Sequence, residues 1–128
     1  MKSSKALTVL LCVLLPSLAA ANSNCDKPRN DFDGLYCLNK IYLQADKDLN
    51  QVYGELRKEL DEQGRKLLKK GQLAWISSRD SQCSYRDNRG FFVNLDCAAK
   101  TTIERTQFLT DRKRECLSSG CLNSRLAE

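Results

Sequence analysis

Between Tyr42 and Leu60 the apolar side chains recur in steps of three and four, at Tyr42, Ala45, Leu49, Val52 or Tyr53, Leu56 and Leu60. This spacing lines one face of a helix, because about 3.6 residues complete each turn. With Asp33 as its cap and Gly64 as its stop, the first helix is expected over residues 34–63. A second stripe runs through Leu67, Leu68, Trp75 and Ile76 to Cys83, and the polar Gln72 and Arg79 share its face. Asn88, Arg89 and Gly90 break that pattern. Asn94 then caps a third stripe, made of Leu95, Ala98, Ala99, Thr102, Arg105, Phe108 and Leu109, which reaches about Leu117. No stretch alternates with period two, so no sheet is expected. Short connections favour antiparallel neighbours. The pattern therefore predicts an all-α fold, an antiparallel three-helix bundle forming one domain over residues 34–128.

The N-terminus follows a different logic. Lys2 and Lys5 precede an apolar run that Pro16 ends, and Ala19 and Ala21 supply the small residues that a signal peptidase reads. The run is too short for a membrane span, which needs ~20 apolar residues. Residues 1–21 read as a signal peptide and residues 22–33 as a leader of the mature chain, which is then exported to a periplasm or secreted. Neither Cys12 nor Cys25 has the preceding residues that lipid attachment requires, so a soluble protein with no transmembrane segment is expected.

Cleavage would remove Cys12 and leave Cys25, Cys37, Cys83, Cys97, Cys116 and Cys121. An even number in an exported small domain reads as disulfides rather than a metal site, and no C-x-x-C pair is present. A turn centred near Gly90 brings Cys83 against Cys97. Cys37 would lie ~40 Å along the bundle from Cys116, at 1.5 Å per helical residue. The simplest pairing is therefore sequential: Cys25 with Cys37, Cys83 with Cys97 and Cys116 with Cys121. A first turn centred near Gly64 would likewise set Trp75 against Tyr53, and Arg79 opposite Asp46 and Asn50, as a carboxylate–guanidinium pair across two helices.

Composition narrows the chemistry. The chain has no histidine, which removes the commonest general base and metal ligand, and its mature cysteines are expected to be oxidised. No catalytic, cofactor or metal site is expected, and the chain reads as a binding protein rather than an enzyme. Removing Lys2 and Lys5 from the 21 basic residues leaves 19 against 16 acidic ones, a mild +3 that does not suit nucleic-acid binding. Two exposed features remain. One is the loop containing Asn88, Arg89, Phe91 and Phe92, a candidate binding loop stiffened by the Cys83–Cys97 bridge. The other is a basic end, where Arg65, Lys66, Lys69, Lys70, Arg112, Lys113 and Arg114 converge and could meet an anionic envelope polymer.

The ordered residues Cys37-Leu38, Ala45-Asp46-x-x-Leu49-Asn50-x-x-Tyr53-x-x-Leu56, Leu68-x-x-x-Gln72-x-x-Trp75-x-x-x-Arg79-Asp80-x-x-Cys83, Cys97 and Thr102-x-x-Arg105-x-x-x-Leu109 resemble the LprI-like lysozyme-inhibitor family. The W-x-x-x-R-D-x-x-C segment is the most specific part. The resemblance implies a small, exported, helical, disulfide-bonded protein that inhibits lysozyme-type muramidases, with a lysozyme as its protein partner. Asp46, Asn50, Tyr53, Gln72, Trp75, Arg79, Asp80, Thr102 and Arg105 form its structural signature here. Their helical spacing favours packing between helices over ligand contact. The namesake type is lipid-anchored, and Cys116 and Cys121 lie outside the pattern, so this chain departs from it at both ends. The alternative is an envelope interaction module that contacts anionic polymer or another protein without touching lysozyme.

Overall fold

Asn30 caps the first helix, its side chain accepting the Asp33 N–H at 2.9 Å. The computed structural model describes Cys25 and residues 27–128, so the expected signal peptide and its cleavage point lie outside the described residues. Helix α1 spans Asp31–Glu59, α2 Glu62–Cys83 and α3 Leu95–Ser119. Two strands, β1 (Ser84–Asp87) and β2 (Gly90–Val93), lie between α2 and α3, and a short 3-10 turn at Asn123–Arg125 follows. The chain is mostly helical, as expected.

The boundaries differ from the sequence reading in one consequential place. Gly64 does not stop α1. The break comes at Leu60, and Asp61 caps α2 by accepting the Gly64 N–H at 2.6 Å. Gly64 therefore sits in the first turn of α2, and the α1–α2 register moves by several residues. Arg79 now shares a hollow with Asn39 and Tyr42. It bonds its neighbour Asp80 at 2.7 Å, and its guanidinium lies 5.1 Å from the Trp75 ring centre. Asp46 instead receives the Asn50 side-chain amide at 3.2 Å, so the expected Arg79–Asp46 pair is replaced by two local contacts.

Helix α3 runs parallel to α1 and shares the most extensive interface in the molecule with it. Lys113 meets Glu55 at 2.6 Å near one end, and Ile103 lies by Ala45 further along. The core between the helices is Leu49, Leu56, Leu60, Leu68 and Leu109, with Tyr53, Trp75 and Phe108 against its edge. Leu126, from the segment after α3, completes it at 1% exposure. This tail folds back because Cys116 bonds Cys121 and Gly120 turns the chain at a positive φ of 100°.

Gly71 is what lets the tail approach α2. A Cβ there would lie 2.6 Å from the Leu126 main-chain oxygen and 2.9 Å from Ala127 Cα. Gly71→Ala should therefore destabilise the fold by about 1–3 kcal/mol, because backbone must shift to make room. Gly54→Ala, with nothing within 4 Å of the added methyl, should do the opposite by about 0.5–1 kcal/mol. Urea unfolding of the two variants checks the sign difference.

All three cysteine pairs match the sequential expectation: Cys25–Cys37, Cys83–Cys97 and Cys116–Cys121. The middle bridge joins the end of α2 to the start of α3 with 5.5 Å between Cα atoms. Replacing both Cys83 and Cys97 by Ser should cost about 2–4 kcal/mol, since the unfolded chain regains its loop entropy, with far-UV circular dichroism nearly unchanged.

Candidate functional site

The segment read as a loop is a β-hairpin. Ser84 pairs with Val93, Tyr85 with Phe92, Arg86 with Phe91 and Asp87 with Gly90, leaving Asn88 and Arg89 at the tip. Four-residue strands are too short to display a period-two pattern, which is why the sequence pattern gave no strand signal. The turn chemistry was readable: Asp87 Oδ1 accepts the Arg89 N–H at 2.8 Å, and Gly90 takes a φ of 145° that a side chain would resist. At the base, the Asn94 N–H donates to the Cys83 carbonyl at 2.8 Å beside the disulfide. The Asn94 side chain meanwhile accepts the Cys97 N–H at 3.0 Å and caps α3. The hairpin is thus anchored covalently and by hydrogen bonds on both of its flanking helices.

Its two faces differ. On one, Tyr85 stacks on Phe92 with ring centres 5.0 Å apart, and the Arg89 guanidinium lies 5.3 Å from the Phe92 ring. Arg89 is also bound by Asp87, at 2.7 Å and 3.1 Å from two of its nitrogens. That pair holds the Asp87 carboxyl below its ordinary pKa, chiefly through the Arg89 side-chain bond. It therefore persists at neutral pH and is lost only as acid protonates Asp87. Arg89 is a cation already partnered by Asp87 and placed over an aromatic ring.

Phe91 and Val93 occupy the other face, with Arg86 over the Phe91 ring at 5.5 Å. Phe91 is 58% exposed, and with Val93 it borders a hollow of about 260 Å³ whose other walls include Asn39, Tyr42, Arg79 and Asp80. Asn39 and Leu95 join this hollow to a second one lined by Phe32, Leu35 and Tyr36. Phe32 is 84% exposed. The apolar side chains of α1's first turns and of the hairpin thus make one surface at a single end of the bundle. Exposed apolar surface of this kind marks interaction sites, because a monomer gains nothing by leaving it in water.

Three of the signature residues, Thr102, Arg105 and Gln72, make contacts within and between helices. Thr102 is fully buried and donates to the Ala98 carbonyl at 2.7 Å, and Arg105 donates through Nε to Gln72 at 3.1 Å. The Gln72–Arg105 bond across α2 and α3 could have been read from the sequence, since both sat on inward stripes as polar residues needing a partner.

At the far end, five of the seven basic residues have partners within the protein. Lys66 pairs with Glu62, Arg112 with Glu115, Lys113 with Glu55 and Arg114 with Asp111, and Arg65 donates to the Arg57 carbonyl. These contacts leave a face of mixed sign. Among the described residues no group of side chains is arranged to hold a metal, and no helix is long and apolar enough to cross a membrane.

The family model for the lysozyme inhibitor LprI matches residues 24–109, which runs from the first disulfide through the hairpin to the core of α3. This chain belongs to the LprI family. The LprI match ends before Cys116, so the tail that carries Leu126 is an addition to the matched region. A similar chain is the uncharacterized protein R02472 of Rhizobium meliloti (strain 1021), 30% identical over 129 residues that cover 85% of this chain and 93% of that protein. No solved structure matches significantly. The LprI family is one of lysozyme inhibitors.

Proposed function

We propose that this LprI-family protein is exported and inhibits a lysozyme-type muramidase, docking on the enzyme through the hairpin end of the bundle. The observation that carries this reading is the disulfide-anchored hairpin, with Phe91 exposed and Asn88 and Arg89 at its tip. Rigid presentation matters because an element fixed before binding loses little entropy on binding. Phe91, with Val93 on the same hollow and Phe32 and Tyr36 on the adjoining one, is the apolar anchor, and buried aromatic anchors carry most of the energy of such interfaces.

Arg89 has a narrower role. A lysozyme cleft carries two carboxyl groups, and an arginine at the tip of an inhibitory element is the complementary charge. Here Asp87 offsets that charge, so Arg89 contributes by sharing its guanidinium between Asp87 and the enzyme. Arg89→Glu would set two carboxylates side by side at the tip and present them to the enzyme's own acidic groups. Inhibition by that variant should fall by thirtyfold or more, while Lys69→Glu at the opposite end should leave it unchanged. Activity of a lysozyme titrated with the purified mature forms reads both. Equal losses from the two substitutions would favour the alternative of a general basic surface meeting anionic envelope polymer. Failure of the parent protein to inhibit would remove the lysozyme reading for this member.

The exported location follows the same reasoning. Three disulfides form and persist in an oxidising compartment, and residues 1–21 carry the features of a signal peptide.

A further inference from the structure

The hairpin leaves both of its edges open. In an antiparallel pair, positions that exchange main-chain hydrogen bonds alternate with positions whose N–H and carbonyl point away from the partner strand. The Asn94 N–H on the Cys83 carbonyl fixes that alternation, because Asn94 stands opposite Cys83 one step beyond the Ser84–Val93 pair. Tyr85–Phe92 and Asp87–Gly90 are therefore the bonded pairs, and Ser84, Arg86, Phe91 and Val93 aim their main-chain groups outward. Among the described residues, nothing bonds the N–H or the carbonyl of Phe91 or Val93. The two edges differ in how they are guarded. On β1 stand Arg86 and Asp87, and the Ser84 hydroxyl donates back to the Asp80 carbonyl. Strand β2 reads Gly90-Phe91-Phe92-Val93 and carries no charge. Its outward residues Phe91 and Val93 are 58% and 49% exposed. Charged side chains on an edge discourage other strands from pairing with it, so β2 is the unprotected edge.

We propose that β2 pairs antiparallel with β2 of a second copy of this chain, about a two-fold axis beside Phe92, to form one sheet in the order β1-β2-β2-β1. Self-complementarity identifies the occupant. A two-fold contact must present the same surface from both sides, and this edge does. With Phe92 opposite its own copy, Phe91 faces Val93 of the second copy and Val93 faces Phe91. These are the outward-pointing residues, so each pair exchanges both of its main-chain bonds and satisfies the free N–H and carbonyl groups. An aromatic ring beside a β-branched side chain is also a favourable cross-strand neighbour. On the opposite face, the Tyr85–Phe92 stack, 5.0 Å between ring centres, continues onto Phe92 and Tyr85 of the second copy. Phe92 meets Phe92 at a non-bonded position, where Cα atoms approach to about 4.5 Å and side chains are closest. No like charges come opposite one another within the paired strands, since β2 has none. Strands of four residues bury less than a standard interface, so the dimer is weak and reversible. The pairing uses the hairpin that the inhibitor reading also uses, but it is measured without an enzyme, so either can fail alone.

Sedimentation of the purified mature protein over a concentration series should show a monomer–dimer equilibrium, with dimer accumulating as concentration rises. Val93→Pro separates the edge from the fold. The Val93 N–H is not used inside the hairpin, and proline is tolerated where a strand's N–H faces solvent, so the monomer should keep its circular dichroism. The dimer should lose the Val93 donor of each copy and weaken by at least about tenfold. Cysteine cross-linking under mild oxidation reads the register. Phe92→Cys sets the symmetry-related sulfurs across the axis at disulfide range and should give a covalent dimer, whereas Asn88→Cys, at tips more than about 20 Å apart in this register, should not. These variants keep the test valid if Val93→Pro does not fold. A protein monomeric at every concentration up to about 1 mM, a folded Val93→Pro that dimerises like the parent, or equal cross-linking of Phe92→Cys and Asn88→Cys would overturn the proposal.

Discussion

Phe91→Asp is expected to weaken inhibition of a susceptible lysozyme by about thirtyfold or more while leaving the fold intact. The loss follows from what the side chain does in each state. In the free protein Phe91 is largely in water, its ring touched by Arg86 and open on its outer side, so replacing it changes stability by no more than about 0.5 kcal/mol. In the complex it would be the centre of the apolar contact, where truncation of an aromatic anchor costs about 2–4 kcal/mol and a buried carboxylate adds its own desolvation. Inhibition constants for parent and variant, with circular dichroism as the control, measure the separation. Full inhibition by folded Phe91→Asp would exclude this face of the hairpin from the interface.

Leu126→Ala should lower the unfolding free energy by about 2–5 kcal/mol, the range for removing a buried leucine from a core that cannot collapse around the hole. Leu126 is as buried as the helix residues it touches, although it lies in a short tail outside the family match. The tail cannot swing away to relieve the cavity, because the Cys116–Cys121 bridge and the Arg125–Glu115 ion pair at 2.7 Å hold it. Leu43→Ala, on an exposed part of α1, is the matched control and should stay within about 0.5 kcal/mol. In urea unfolding, a midpoint for Leu126→Ala equal to that of Leu43→Ala would mean that the tail adds nothing to the core.

These effects divide along the line between what a sequence states and what packing decides. The three stripes were legible because helical periodicity is local and long, and the Asn94 cap was legible because capping is a property of a few adjacent residues. The cysteine pairing was legible because helix rise and a symmetric loop leave few ways to bring sulfurs together. The Arg79–Asp46 pair failed for the same kind of reason that the disulfides succeeded. It depended on where one turn was centred, and Asp61 proved a stronger start signal for α2 than Gly64 was a stop signal for α1. An error of a few residues in a turn rotates every contact of the helix that follows.

Sequence by itself determined the helical class, the three staples, the absence of histidine chemistry and the LprI resemblance, all of which depend on residue identity and short-range spacing. Tertiary structure decided the rest. It set the hairpin's two faces and placed Phe32 and Tyr36 on a hollow adjoining that of Phe91, returned Leu126 to the core over Gly71, and brought the buried Arg105 onto Gln72 across two helices. Each of these joins residues far apart in the chain, and such meetings depend on register and burial, which no local pattern of side chains encodes.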